Sequence, residues 1–240
     1  MTKLLLLSKE ASFLIDTSQK RFSSQFGVVD LTKTKIGKTI KSSSGHIFAV
    51  VEPTILDYLR KARRGPQVVL PKDAAQIIGI TGARSGWQCL DAGGGSGFLG
   101  LFIANICAPG KITIYEKKKE FAKTIEHNVK FSGLKNAILK NRDVKSFTEK
   151  NLDLITLDMQ DAEKIVKKCH KALKFGGWLC IYSPHIEQQK RVVKEMEKTF
   201  TQMRTIECVV RDWKIDLRGY THPKYSKISH TGFMTFGRKI

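Results

Sequence analysis

The stretch CLDAGGGSGFLG, residues 89–100, sets three consecutive glycines directly after an apolar run and then resumes with apolar residues at helical spacing. A strand that stops at glycine and turns at once into a helix is the entry of a doubly wound sheet, where ligands sit beyond the carboxyl ends of the strands. Gly93, Gly95 and Gly97 occupy that turn, and their missing side chains permit a tight bend and close approach of a ligand to backbone. The flanking pattern agrees. WQCLDA and KITIYE read as short strands around a helix carrying Leu99, Phe102, Ile103 and Ile106, and a second helix from Lys117 to about Phe131 aligns Phe121, Ile125 and Val129. NAILKN, LDLITLDM and GWLCIYSP supply further strands. Between the last two, AEKIVKKCHKALKFGG places Ile165, Val166, Cys169 and Leu173 at helical spacing before a glycine stop. IEQQKRVVKEMEKTF follows as a helix, and TIECVVRDWKIDL and HTGFMTFGRK close the chain as β-rich segments with no clear helix between them. The alternation predicts an α/β, Rossmann-like core with a mostly parallel sheet covered on both faces, the closing pair forming an antiparallel hairpin at one edge.

Ahead of this core, residues 1 to about 52 alternate short β-rich runs with turn chemistry such as SSSG at 42–45, which predicts a small antiparallel unit. PTILDYLRKARRG then carries Ile55, Leu56 and Leu59 on one face and Arg60, Lys61, Arg63 and Arg64 before Gly65, a short helix whose terminal cations suit its dipole. The domains are therefore expected at 1–65 and 66–240. The opening MTKLLLLSKEASF reads as a first strand rather than a secretory leader, and the longest apolar runs fall short of the about 20 residues of a membrane span. Five scattered cysteines without a CxxC pair read as buried hydrophobes of a reducing compartment, so a cytoplasmic location is expected. Six dispersed histidines and no HExxH give no reason to expect a metal.

Forty-two Lys and Arg against 22 Asp and Glu give a formal charge of +20. Such a field draws in polyanions, of which nucleic acid is the commonest in a cell, although a generally lysine-rich proteome would give the same count.

The ligand of the turn can be narrowed. A dinucleotide site spaces its glycines GxGxxG, whereas here the run is DAGGGSG with Phe98 where the last glycine would stand, and no GK followed by Ser or Thr marks a phosphate loop. Glu116 ends the next strand, where a carboxylate can accept both hydroxyl hydrogens of a ribose. The run resembles motif I of S-adenosylmethionine-dependent methyltransferases of class I. That likeness implies S-adenosyl-L-methionine as cofactor, with Asp91 toward its amino end, Gly93, Gly95, Ser96, Gly97, Phe98 and Leu99 around the methionine portion, and Glu116 on the ribose. Asp143, in KNRD, stands where the class often has an acid contacting the adenine amine; a plain helix N-cap is the other reading.

Several further blocks resemble the tRNA (adenine-N1)-methyltransferases of the TrmI family. They are SSSGHIFAVVEPTILDYL, RRGPQVVLPKDAAQII, LDAGGGSGFLGLFIA, LDMQDAEK at 157–164, YSPHIEQ at 182–188, RDWKID at 211–216 and HPKYSKISHTGFM at 222–234, and they recur in the family's order. The glycine turn is generic; PKDAA, YSPHIEQ and HTGF are more specific. The resemblance implies a small β-rich amino-terminal domain, a homotetramer that clasps tRNA, and methylation of the T-loop adenine at position 58, with 57 as a further target in archaeal members. It places the catalytic aspartate, which also borders the cofactor, on Asp158; the other reading of Asp158 is a helix cap ahead of AEKIVKK, a role that suits Asp161 better. Tyr182, Pro184, His185 and Gln188 would shape the substrate pocket, and His230 and Thr231 would lie near it; a packing role for the two histidines stays open. Two departures stand out, Ala162 where the family often has Pro and Leu70 where many members have an aromatic residue. The alternatives are a methyltransferase acting on another RNA position, a protein or a small molecule, and a nonenzymatic RNA-binding protein on the same scaffold. An NAD-dependent oxidoreductase is disfavoured by the glycine spacing.

Overall fold

The computed structural model describes residues 3–65, 68–225 and 230–240. Pro66, Gln67 and residues 226–229, which fall within two of the blocks quoted above, lie outside the described residues. The chain divides into two compact units, Met1–Arg63 with Lys130–Gly133, and Arg64–Val129 with Leu134–Ile240.

The first unit contains β1 (Lys3–Leu7), β2 (Ser12–Asp16), β3 (Arg21–Ser24), β4 (Gly27–Asp30), β5 (Lys38–Lys41) and β6 (Ile47–Val51). Four strands form an antiparallel sheet in the order β2-β1-β6-β5, and β3 and β4 pair as a separate ribbon. Leu4, Leu6, Ile15, Val29, Leu31, Phe48 and Val50 make its core. The helix α1 (Ile55–Lys61) opens with a capping box in which the Thr54 amide donates to Asp57 Oδ2 at 2.9 Å. It stops before Arg63, since Ala62 takes extended backbone, and clustered cations would repel one another on a continuing helix.

The second unit begins with α2 (Pro71–Thr81), a helix the periodicity reading did not single out although Pro71 stands at its first position and Gly82 closes it. Then come β7 (Cys89–Ala92), α3 (Phe98–Cys107), β8 (Ile112–Tyr115), α4 (Lys119–Ser132), β9 (Ala137–Lys140), β10 (Leu152–Asp158), α5 (Val166–Ala172), β11 (Leu173–Ser183), α6 (Ile186–Met196), β12 (Phe200–Glu207), β13 (Trp213–Lys214), β14 (His222–Pro223) and β15 (Phe233–Lys239). Seven strands form one sheet in the order β12-β15-β11-β10-β7-β8-β9. The pairs from β11 through β9 are parallel, and β15 runs antiparallel to both β11 and β12. The core between sheet and helices includes Leu90, Ala92, Ile155, Leu157, Leu179, Ile181 and Val192.

One expectation is met and one corrected. The closing strands pair antiparallel at one edge of the sheet, with β15 between β11 and β12 and β12 at the rim. Met234, Thr235 and Phe236 are fully buried, whereas in β12 only Phe200 is buried and the other positions are partly or fully exposed, so the apolar strand takes the interior place and the half-polar one the edge. The glycines of KFGG do not stop a helix: α5 ends at Ala172, and β11 begins at Leu173, whose buried side chain lies at the register position of Leu152.

Candidate active site

At the end of β7 the chain turns through Gly93 and Gly94, whose amides both donate to the Tyr115 carbonyl at 3.1 and 3.0 Å. The turn is thereby stitched to the end of β8. Gly93 has φ +80, and a Cβ built on it would lie 1.9 Å from the backbone oxygen of Asp158, so no side chain fits between the turn and the end of β10. The Gly95 amide donates to Glu116 Oε2 at 2.9 Å, and the Lys118 amide to Glu116 Oε1 at 2.8 Å. Ser96 is buried; its hydroxyl accepts from the Gly65 amide and its carbonyl from Asn128 Nδ2 at 2.8 Å. These bonds present a bare backbone ledge to a cleft lined by Val68, Val69, residues 93–96, Phe98, Leu99, Asp91 and Asp158.

Two carboxylates face this one cleft. Asp91 is 2 % exposed; burial pushes its carboxyl up to about 6, aided by repulsion from Glu116 and opposed by hydrogen bonds from Thr156 and the Gly100 amide. The Thr156 hydroxyl donates to Asp91 Oδ1 at 2.6 Å. Asp158, at the end of β10, is pushed up to about 7, by burial first and by the charge of Asp91 second. No described residue donates a hydrogen bond to its carboxylate. The Asp91 charge thus disfavours ionisation of Asp158, second to burial. The lining combines apolar side chains, backbone without side chains and the Asp158 carboxylate, a chemistry suited to a cationic ligand with an apolar body.

The structure brings most of the expected residues to this end of the sheet, with differing roles. Asp91, Gly93, Gly95, Ser96, Phe98, Leu99 and Asp158 line the cleft. Gly97 caps α3 and lies just outside it. Glu116 braces the turn and is not among the lining residues. Asp143 caps the short 3-10 turn Val144–Ser146, accepting from the Lys145 amide at 2.8 Å, the capping role left open above. Tyr182, 8 % exposed, lies beside Asp158 in the β10–β11 register. Pro184 and His185 are exposed, and the His185 amide donates to Ser183 Oγ at 3.1 Å. The Gln188 amide group is committed within the protein, accepting from Ser183 Oγ at 2.8 Å and donating to the Met159 carbonyl at 2.8 Å, so it shapes the rim instead of reaching out from it. His230 uses both ring nitrogens, Nδ1 with Glu207 Oε1 at 2.5 Å and Nε2 with the Pro184 carbonyl at 3.1 Å. The Glu207 carboxylate holds its imidazole above the usual range.

Residues that periodicity could not flag also build the site. Val68 and Val69 supply its apolar wall, and Thr156 restrains Asp91. Lys72 and Asp73 bond to Thr231 across the fold; their only signal was the PKDAA block.

Comparison with known proteins agrees with this geometry. The family model described as "tRNA methyltransferase complex GCD14 subunit" matches residues 50–231. The chain is 33 % identical over 266 residues to the tRNA (adenine(57)-N(1)/adenine(58)-N(1))-methyltransferase TrmI of Methanocaldococcus jannaschii, covering 98 % of this chain and 94 % of that one. It is 29 % identical over 208 residues to the tRNA (adenine(58)-N(1))-methyltransferase TrmI of Thermus thermophilus, covering 85 % and 81 %. Among solved structures, a SAM-dependent O-methyltransferase from Thermotoga maritima superposes with a TM-score of 0.82 at 29 % identity, over 100 % of this chain and 93 % of that one. The tRNA (m1A58) methyltransferase TrmI from Aquifex aeolicus superposes at 0.79 and 25 % identity, over 99 % and 96 %. The chain has the Rossmann-like methyltransferase fold and belongs to the family of the tRNA methyltransferase complex GCD14 subunit.

Proposed function

We propose that this protein methylates N1 of the T-loop adenine at position 58 of tRNA, with adenine 57 as a second target, using S-adenosyl-L-methionine. The observation that carries the reading is Asp158, an unbonded, charge-strained carboxylate at the mouth of a cleft made by a side-chain-free turn. The names of the relatives supply the acceptor. Bound in this cleft, S-adenosylmethionine supplies an activated methyl group for in-line displacement.

The protein's own residues then have to position and to stabilise charge. Gly93, Gly95 and Ser96 offer backbone to the cofactor's amino-acid portion, Phe98 and Leu99 offer apolar surface, and Asp91 sets a negative charge near its cation. Glu116 retains unused lone pairs after accepting two amides and can take the ribose hydroxyls. Asp143 is the candidate for the adenine amine. Adenine N1 already carries a lone pair, so no strong base is needed, but methylation leaves the ring cationic. The Asp158 carboxylate, accepting a hydrogen bond from the exocyclic amine, orients the ring and favours that charge more in the transition state than before it. Tyr182 walls the acceptor side, and His185 stands at its rim.

The target base must be turned out of folded tRNA, at a cost of a few kcal/mol. Phosphate contacts from the basic surface would offset this, giving binding that weakens steeply with salt. A cytoplasmic location follows from the substrate. Assembly as a homotetramer belongs to the same reading. Val209, Val210, Trp213, Ile215, Leu217 and Tyr220, between 52 and 97 % exposed, support it, and light scattering at four times 27.1 kDa would bear it out where a monomer would exclude it.

Because the working form of Asp158 is the anion and its carboxyl is pushed up to about 7, turnover is expected to rise roughly tenfold per unit below pH 7 and to level above it. A profile flat from pH 5.5 to 8.5 would remove Asp158 from the chemistry. The reaction itself is tested by incubating the protein with unmodified tRNA and methyl-labelled cofactor, digesting, and identifying the nucleoside and its position. 1-Methyladenosine in the T-loop is expected; label elsewhere would reassign the acceptor.

A further inference from the structure

The first turn of α2 places Lys72 and Asp73 against a segment more than 130 positions further along the chain. Lys72 Nζ donates to Asp73 Oδ1 at 2.8 Å, to the Cys208 carbonyl at 2.5 Å and to Thr231 Oγ1 at 2.7 Å. The Thr231 hydroxyl in turn donates to Asp73 Oδ2 at 2.9 Å. Every ammonium hydrogen and both carboxylate oxygens are thus used, and Asp73 is fully buried. Cys208 follows β12 directly and Thr231 lies just before β15, so this node fastens both ends of the excursion that carries β13 and β14.

The node reaches the reaction centre through one more residue. A Cβ on Gly232 would lie 2.5 Å from Tyr182 Cζ and 2.6 Å from its hydroxyl, so the backbone there packs too closely against the phenol for any side chain. Tyr182 in turn neighbours Asp158 across the β10–β11 ladder. At the rim His230 ties Glu207 to Pro184, holding the next turn of the same wall. A buried ion pair adds little net stability, because desolvation offsets the attraction. A fully satisfied set of directional bonds does give one fixed geometry.

We propose that Lys72, Asp73 and Thr231 form a positioning node for the methyl acceptor, holding residues 231–232 against Tyr182 so that its ring stands as a fixed wall beside Asp158. The inference rests on the methyltransferase reading above. These residues act through Tyr182 and touch neither the cofactor cleft nor its lining turn.

Thr231→Val keeps the shape and removes the hydroxyl; Thr231→Ser keeps the hydroxyl. With purified full-length protein and unmodified tRNA, Thr231→Val is expected to lower kcat by about 10- to 100-fold, since a displacement of about 1 Å in an acceptor wall costs that order of rate. KM for tRNA and Kd for S-adenosylmethionine should stay within about threefold, and Thr231→Ser should recover most of kcat. Asp73→Asn should reproduce the kcat loss. A Thr231→Val protein with wild-type kcat would overturn the inference. So would a loss shared equally by cofactor affinity and thermal midpoint and not recovered by Ser, which would mark the node as structural only. Wild-type protein that methylates no tRNA would overturn the functional reading, and the inference with it, whereas an active wild type beside an unaffected valine variant removes the inference alone.

Discussion

Asp158→Asn is expected to lower turnover on tRNA by about 10²- to 10³-fold, the range seen when a group that stabilises developing charge is removed. Asparagine keeps the volume and an acceptor oxygen but not the charge, so it can still meet the exocyclic amine while offering less to a ring becoming cationic. Cofactor affinity should change by less than about tenfold, because the turn touches Asp158 through its backbone oxygen, which the substitution retains. Stability provides the control. The carboxyl is raised from 3.8 to about 7 in the folded protein, so between about pH 4 and 7 the native state binds more protons than the unfolded one, and stability falls as pH rises through that window. Above pH 7 the native state carries the full penalty of the buried charge. Asparagine removes it, and the thermal midpoint at pH 8 should equal or exceed that of the wild type. Unchanged turnover, or a loss that follows a lowered midpoint, would contradict the assignment.

Gly93→Ala is the second large effect. The added Cβ meets the Asp158 backbone oxygen at 1.9 Å, and neither partner is a side chain able to rotate away. Positive φ adds a strain of about 1–3 kcal/mol for an alanine. The turn must then leave its two bonds to the Tyr115 carbonyl or push back the end of β10. Either movement damages both halves of the site. Affinity for S-adenosylmethionine should fall by more than about 100-fold and methylation should become undetectable, with a thermal midpoint lower by several degrees. Near-wild-type cofactor binding in this variant would show that the ligand does not depend on the turn.

Much of this arrangement was legible in residue order, for a physical reason. A buried parallel strand, a glycine turn and an amphipathic helix each leave a local pattern, so Cys89–Ala92, Gly93 and α3 could be read where they stand. Asp158 was offered as a candidate by the resemblance of LDMQDAEK, and it ends the LDLITLD strand on the face where doubly wound sheets react. The place of β15 was not, since strand order depends on which of two late strands better tolerates burial, a comparison made only in the folded sheet. Lys72 and Asp73 show the same limit: their partners Cys208 and Thr231 are distant in the chain, and nothing local marks an ammonium that makes two of its three bonds by tertiary contact. His230 was placed near the pocket with a packing role open and Gln188 was expected to shape it; the polar atoms of both are engaged by the backbone and side chains around the rim. Asp143 had two readings, and the cap it makes is local, which is why the sequence could offer it.

The direct test of the central claim is titration calorimetry of the folded protein with S-adenosyl-L-methionine, run beside Gly93→Ala and Asp158→Asn. Saturable binding is expected for the wild type, retained within about tenfold in Asp158→Asn and lost in Gly93→Ala. An absence of heat from correctly folded wild type across several temperatures, or equal binding by all three proteins, would contradict the assignment of the cleft between the glycine turn and Asp158 as the methyl-donor site.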